Sequence, residues 1–150
     1  MVSAPVAKAN PTSGKALLAD EIFGMMASFV NRGEGKDLIK KVDAVFNFEI
    51  KETKKGPVVK SFVIDLKNGQ GKVYAGNEKT ANSTFTMVDG DFEKVCMGTL
   101  NPQNAFIQGK MKIKGNMKKA TLFTPELFPK PTPENKAKYT SAKLWNFIKL

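Results

Sequence analysis

The sequence predicts an α+β fold in which a five-stranded mixed sheet carries helices on one face. A stripe of apolar residues with helical spacing runs from Leu18 to Phe29, and this spacing indicates an amphipathic helix near the start of the chain. Three segments with period-two alternation follow between Val42 and Ala75, close enough in sequence to pair as a meander. Two later strands are separated by helical segments, so they are expected to join the sheet through crossovers.

The first half of the chain is expected to hold two helices and three strands. The first helix is predicted over residues 13–31, with Gly33 as a left-handed cap, and a shorter helix follows through Leu38 and Ile39. Strands are predicted at residues 42–50, 58–66 and 70–75. Asn68-Gly69 predicts a two-residue hairpin turn with positive φ at both positions.

The second half alternates strands with helices. A fourth strand is expected at residues 83–88 with Phe85 inward, and a helix is expected to start at Asp89-Gly90-Asp91. After a helical turn and a fifth strand, residues 116–123 again favour a helix, and the prolines between 125 and 133 then interrupt the pattern. Thr132-Pro133 marks the start of a last amphipathic helix that carries Leu144, Trp145 and Ile148.

Composition excludes several classes of function. The 150 residues suit one domain. The chain has no His, which removes the commonest general base and metal ligand. The lone Cys96 cannot form an internal disulfide, and its apolar neighbours favour a buried structural thiol in a reducing, intracellular compartment. Of the 24 basic residues behind the net charge of +10, only Arg32 is an arginine, a balance that argues against specific nucleic-acid binding.

The candidate catalytic and phosphate sites have structural explanations. Asp89, Asp91 and Glu93 are expected to cap a helix and favour its positive end. The loops around Gly33 and Gly69 lack the Gly-Lys-Ser/Thr frame of a phosphate loop. No catalytic residue, metal site or cofactor is therefore predicted.

The most informative segment is Asn101–Asn116, which we call the signature segment. It reads as a short helical turn, a Gly-Lys elbow and a strand that alternates Met111 and Ile113 with lysines. It holds no acid, Cys or hydroxyl nucleophile, so it suggests a shaped apolar site. The basic cluster is Lys110, Lys112, Lys114, Lys118 and Lys119. It is expected to be either a solvated strand face or a contact with anionic membranes.

The signature segment resembles that of the sterol carrier protein 2 family, whose run Asn-Pro-Gln-x-Ala-Phe-x-Gln-Gly-Lys-x-Lys-Ile-x-Gly-Asn-Met lies here at Asn101–Met117. Phe46, Asp65-Leu66-Lys67-Asn68-Gly69, Thr84-Phe85-Thr86-Met87 and Asp91-Phe92 fit the same family in the same order. The resemblance covers about residues 18–123. It implies a hydrophobic tunnel between the helices and the sheet, which binds fatty acids, fatty acyl-CoA, sterols or phospholipids.

A lipid-binding set follows from the resemblance and the apolar pattern. For each apolar member, plain core packing is an equally good interpretation, whereas Gln108 is expected to orient a lipid head group. The set is Ile22, Met26, Phe29, Phe85, Met87, Phe92, Phe106, Gln108, Met111, Ile113, Met117, Leu122 and Phe123.

These predictions combine into a non-enzymatic intracellular lipid carrier that acts as a monomer. The expected division is a flexible arm at 1–12, a sterol carrier domain at 13–128, and a Pro-rich linker with a C-terminal amphipathic helix at 129–150. The last three residues, Ile148, Lys149 and Leu150, partly match a peroxisomal address read by an import receptor. The expected location is the peroxisome with a cytosolic pool. The alternative function is a basic adaptor that docks on membranes or RNA without an internal ligand.

Overall fold

The structure is a computed structural model that describes residues 17–139. The predicted arm at 1–12, and Leu144, Trp145 and the last three residues, lie outside this range. The helices are α1 Leu18–Asn31, α2 Lys36–Val42, α3 Asp89–Met97, α4 Pro102–Ile107, α5 Met117–Ala120 and α6 Pro133–Tyr139, with a 3-10 turn at Pro125–Leu127. The strands are β1 Ala44–Lys51, β2 Val58–Leu66, β3 Lys72–Ala75, β4 Ser83–Val88 and β5 Met111–Gly115.

The five strands form one mixed sheet in the order β3-β2-β1-β4-β5, so the predicted fold class is confirmed. The first three strands pair antiparallel as a meander. The chain then crosses the sheet, and β4 pairs parallel with β1. β5 pairs antiparallel with β4, which places the strand of the signature segment at an edge of the sheet.

A phenylalanine cluster joins the helices to one face of the sheet. Phe23 of α1 stacks on Phe62 of β2 at 4.1 Å between ring centroids and on Phe92 of α3 at 4.9 Å. Phe48 of β1 contacts both Phe23 and Phe92, and all four rings are fully buried. Because each buried Phe stabilises the fold by about 1.5–3 kcal/mol, this cluster anchors α1 and α3 on the sheet.

On the opposite face, the connection between β3 and β4 packs over the middle of β1. Asn47 of β1 points to this side and is 4% exposed. Its side-chain amide donates to the Glu78 carbonyl at 2.9 Å, and its side-chain oxygen accepts from the Glu78 N–H at 2.9 Å. The buried amide is therefore satisfied by the crossing loop, as a buried polar group must be.

Two predictions, for the hairpin turn and for the end of a helix, differ from the structure. The hairpin after β2 exists, but Gly69 (φ 60°) and Gly71 (φ 90°) are the residues with positive φ, whereas Asn68 is not. The reason is that the Asp65 carboxylate accepts from the Lys67 and Asn68 N–H groups and holds a longer loop. The helix after Asn116 ends at Ala120, earlier than predicted.

The predicted role of Asp89 as the cap of its own helix is wrong. Asp89 is the first residue inside α3, and Val88 occupies the cap position. The Asp89 carboxylate instead accepts from the backbone N–H groups of Leu18 and Ala19, both at 2.8 Å. It thereby satisfies two free N–H groups at the start of α1.

The last described helix packs on the first. As the sequence predicts, α6 starts at Pro133, where the Thr132 hydroxyl accepts from the Asn135 N–H at 3.2 Å. The Tyr139 hydroxyl donates to Glu34 Oε1 at 3.1 Å, and its ring meets Phe29 edge-on at 6.0 Å between centroids. Residues 132–139 therefore lie along α1.

Candidate functional site

A cavity of about 490 Å³ lies between α4, β5, α5 and the segment that follows α5. All four of these elements come from or directly follow the signature segment. The lining residues are Phe85, Asn101, Pro102, Gln103, Phe106, Ile107, Met111, Ile113, Met117, Ala120, Thr121, Phe123, Thr124, Pro125 and Glu126.

Capping geometry positions the α4 wall. The Asn101 side-chain oxygen accepts from the Gln103 and Asn104 N–H groups at 2.8 and 3.2 Å, and Pro102 starts the helix. Asn at the cap followed by Pro is a strong local start signal for a helix. The helix lasts only six residues, and Gly109 at φ 77° turns the chain into β5. This turn brings Phe106 to the cavity beside Met111.

The strand wall follows from the period of β5. Met111 is 3% exposed and Ile113 is half-buried, and both line the cavity. In the sheet, Met111 pairs with Met87 of β4 and Ile113 pairs with Phe85. Lys112 and Lys114 alternate with them and are exposed. One strand thus supplies an apolar wall on one side and positive charge on the other.

Two contacts fix α5 at the far end of the cavity. The Ser83 hydroxyl donates to the Asn116 carbonyl at 2.6 Å, and the Asn116 side chain accepts from the Lys119 N–H at 2.9 Å. Gly115 is required between them, because its φ is 96° and an added Cβ would collide with the Asn82 carbonyl oxygen. Met117 and Ala120 therefore face the cavity from a fixed position.

Phe123 closes the base of the cavity. Its ring lies 5.0 Å from that of Phe48 and 5.2 Å from that of Phe85, measured between centroids. On its other side a much smaller void is lined by Met26, Cys96 and Phe128. Phe123 thus separates the cavity from the core beneath α1.

The lining is mostly apolar, with polar groups contributed by Asn101, Gln103, Thr121, Thr124 and Glu126. Among residues 17–139 no group of three or more His, Cys, Asp or Glu side chains could hold a metal ion. In the same range no helix is long and apolar enough to cross a bilayer. The arrangement can hold an apolar chain and leave a polar group at its edge.

The structure brings six of the residues predicted from the sequence to the cavity. They are Phe85, Phe106, Met111, Ile113, Met117 and Phe123. Ile22, Met26, Met87 and Phe92 are buried in the core and do not line it. Phe92 stacks on Phe23 instead, and Met26 lines the smaller void that Phe123 also borders. Phe29 packs against Phe128 and Tyr139. Gln108 and Leu122 lie at exposed positions outside the cavity.

Sequence reasoning missed nine lining residues, most of them polar or small. They are Asn101, Pro102, Gln103, Ile107, Ala120, Thr121, Thr124, Pro125 and Glu126. An apolar pattern cannot single out the polar and small ones, whereas Ile107 is a large apolar residue that the predicted set did not include. The available signal was the Asn-Pro start of the signature segment, which places a helix end at the cavity.

The basic cluster divides into two groups. Lys110, Lys112, Lys114 and Lys118 are exposed. Lys119 is half-buried, donates to the Val42 carbonyl at 3.1 Å and lies 4.0 Å from the Asp43 carboxylate. Four of the five lysines are thus available at the surface.

Comparison with known proteins identifies the family. The model of the SCP-2 sterol transfer family matches residues 26–127. Sterol carrier protein 2 of Arabidopsis thaliana is 40% identical over 119 residues, which cover 77% of this chain and 94% of that protein. Sterol carrier protein 2 of Homo sapiens is 44% identical over 84 residues, or 56% of this chain but 15% of that protein. The peroxisomal multifunctional enzyme type 2 of Mus musculus is 38% identical over 75% of this chain and 15% of its own length.

Solved structures share the fold. The apo sterol carrier protein 2 of Yarrowia lipolytica is 33% identical, with a TM-score of 0.62 over 71% of this chain and 85% of that one. Sterol carrier protein 2 of Aedes aegypti, solved with the C16 fatty acid palmitate, is 28% identical, with a TM-score of 0.54 over 75% of this chain and 96% of that one. The family match spans the sheet, the cavity and the whole signature segment, and the chain belongs to the SCP-2 sterol transfer family.

Proposed function

We propose that the protein is a non-enzymatic intracellular lipid carrier that holds one fatty acyl chain in the cavity. The observation that carries this proposal is the cavity itself, with walls built from the signature segment. Its volume of about 490 Å³ falls in the ordinary range for small-molecule sites. The palmitate bound by the Aedes aegypti relative supports the same class of ligand.

The energetics allow useful affinity. Burying the roughly fourteen methylenes of a palmitoyl chain contributes about 11 kcal/mol, at about 0.8 kcal/mol each. Association costs at least about 4 kcal/mol. The difference, about 7 kcal/mol, corresponds to a dissociation constant of roughly 10 μM.

Selectivity for chain length is expected to be loose. An apolar pocket distinguishes neighbouring homologues by only about 1–3 kcal/mol per methylene. Fatty acyl-CoA, sterols and phospholipids also carry an apolar part, and they are further candidate ligands. The polar side chains at the cavity edge, Asn101, Gln103 and Thr124 among them, give a hydroxyl or carboxyl head group partners outside the apolar walls.

Native mass spectrometry of the purified protein tests the proposal, since a carrier is expected to retain fatty acid or phospholipid. A displacement assay with a fluorescent fatty acid then locates the ligand. Thr121 lines the cavity at an exposed position, so Thr121→Phe should obstruct part of it and weaken uptake of the probe at least tenfold without loss of stability.

Thr99→Phe is the matched control. Like Thr121, Thr99 is exposed and its hydroxyl donates to a backbone carbonyl of the preceding helix, but it does not line the cavity. Equal effects of the two variants, or a wild-type protein that is empty and binds no acyl probe, would overturn the proposal.

Met111→Asp distinguishes the carrier from a basic adaptor without internal ligand. A carboxylate at this buried cavity wall should abolish acyl uptake. A basic adaptor has no internal ligand, so it would show no acyl uptake in the wild type for Met111→Asp to abolish. Circular dichroism shows whether the Met111→Asp variant is folded. If it is not, loss of acyl uptake in Thr121→Phe provides the same test.

We also propose that the protein acts in the peroxisome. Relatives from Mus musculus and Dictyostelium discoideum are named peroxisomal multifunctional enzymes, and Ile148-Lys149-Leu150 partly matches a peroxisomal address. Imaging the protein with and without these three residues tests both statements. Unchanged cytosolic fluorescence in both forms would contradict them.

A further inference from the structure

Resting on the proposed function, we propose that the protein docks on anionic lipid bilayers with the cavity opening facing the membrane. The contact is made by three exposed apolar residues at the cavity, Phe106, Ile107 and Met117, and by the neighbouring Lys110 and Lys118. We call these five residues the mouth surface.

The apolar part of the mouth surface is exposed although it lines the cavity. Ile107 is 78% exposed, Met117 is 47% exposed and Phe106 is 44% exposed, and all three are lining residues. A cluster of large apolar side chains left in water marks an interaction site. Because these residues are both exposed and part of the lining, they mark the side on which the cavity opens to solvent, where an acyl chain would enter.

The charge around this opening is predominantly positive. Residues 94–125 contain six lysines and no Asp or Glu, and the exposed Glu126 is the one acidic residue in the cavity lining. Lys110 precedes β5, Lys118 lies in α5, and both side chains are exposed. Lys112 and Lys114 on the outer side of the edge strand add to the same field. Lys119 donates to the Val42 carbonyl and does not belong to the mouth surface.

This combination fits an anionic bilayer better than other partners. Lysines draw a protein to anionic lipid, and their flexible stems let apolar neighbours reach the interface. A second copy would bring the same positive charge against itself. The mouth surface has no arginine for phosphate recognition, and its apolar centre is unsuited to nucleic acid. In addition, a bilayer is where an acyl ligand enters and leaves.

Vesicle flotation tests the docking surface. The wild-type protein should bind vesicles of phosphatidylcholine with about a third phosphatidylserine more tightly than pure phosphatidylcholine vesicles. Lys110→Glu/Lys118→Glu should reduce binding to the anionic vesicles by about tenfold or more. Ile107→Ser should reduce it as well, because it removes the most exposed apolar side chain of the mouth surface.

Lys67→Glu/Lys72→Glu is the control, with the same change in net charge. Both lysines are exposed. Lys72 is the first residue of β3, at the opposite edge of the sheet, and Lys67 lies in the loop between β2 and β3. Retained vesicle binding by this control, with loss in the mouth-surface variants, supports the proposal. Equal loss in both double variants, no preference for anionic vesicles, or concentration-dependent dimers that Ile107→Ser disrupts would overturn it.

The two proposals fail separately. Lys110 and Lys118 do not line the cavity, so Lys110→Glu/Lys118→Glu should take up soluble fluorescent fatty acid with unchanged affinity. Its transfer of that probe to anionic vesicles should be slower by a similar factor. Loss of uptake in the wild type would overturn lipid carriage, whereas normal uptake without vesicle binding would overturn only the docking surface.

Discussion

At the scale of single residues, Cys96 shows how burial decides reactivity. The side chain is 6% exposed beside Met26 and Phe128. Burial raises the pKa of the Cys96 thiol far above its ordinary value, and the nearby Glu93 carboxylate raises it further. Because the thiolate is the reactive form, this cysteine is inert in the folded protein.

Cys96 should therefore resist alkylation by iodoacetamide at neutral pH in the native protein and react fully after denaturation. Mass spectrometry of the labelled protein measures both. Thr99→Cys in a Cys96→Ala background supplies an exposed thiol three residues away for comparison. Stoichiometric labelling of native Cys96 at the rate of that exposed thiol would contradict the expected burial.

At the scale of secondary-structure elements, Asp89 ties α3 to α1 across seventy residues of sequence. Its two carboxylate oxygens accept from the Leu18 and Ala19 N–H groups. Replacement by Ala leaves two helix N-terminal donors without their acceptor, which typically costs about 1–2 kcal/mol. This contact orients α1 relative to the helix that follows β4.

Asp89→Ala should accordingly lower the free energy of unfolding by about 1–2 kcal/mol, measured by urea denaturation at neutral pH. Asp91→Ala is the control, since Asp91 lies in the first turn of the same helix and no side-chain hydrogen bond of Asp91 occurs within residues 17–139. A smaller effect for Asp89 than for Asp91 would refute the link.

The same carboxylate gives a pH dependence with a defined sign. Burial is the largest influence and outweighs the two backbone hydrogen bonds, so the pKa of Asp89 is raised from 3.8. The folded state then holds the proton more tightly than the unfolded chain. The stabilising contribution is present below pH 3.8 and is lost as the pH rises through the raised pKa.

Asp89→Asn cannot titrate at this position. The stability of the wild type relative to this variant should therefore be greatest at low pH and decline as the pH rises above the ordinary carboxyl range. Denaturation of both proteins across that range measures the difference. A difference that increases with pH would show that the hydrogen bonds, not burial, dominate.

At the scale of the whole molecule, the cavity couples ligand binding to stability. The apolar lining faces a cavity of several hundred cubic ångströms. A ligand that binds only the folded state stabilises it, by about 2.7 kcal/mol at a free concentration one hundred times the dissociation constant. A filled cavity also recovers the packing contacts that an empty one lacks.

Palmitate should therefore raise the melting temperature of the delipidated protein, by roughly 2–4 °C for each kcal/mol of binding linkage. Differential scanning calorimetry with increasing palmitate measures the shift. Thr121→Phe should show a much smaller shift, and Thr99→Phe a normal one. A melting temperature independent of palmitate in the wild type would contradict binding in the folded state.

The sequence by itself determined the sheet, the order of the elements and the two sides of β5, because these follow from local periodicity. It also identified the family through the signature segment. Only the tertiary structure decided which apolar residues line the cavity and which fill the core. Met26 and Phe123 have the same apolar character, yet Phe123 stands between Met26 and the cavity.

The same limit explains the roles of Asp89, Lys119 and Ile107. Asp89 caps a helix seventy residues earlier, Lys119 reaches a carbonyl of α2, and Ile107 stays in water beside the opening. Periodicity shows which face of an element a side chain occupies. Its partner depends on long-range packing, which follows from how the whole chain buries its apolar surface.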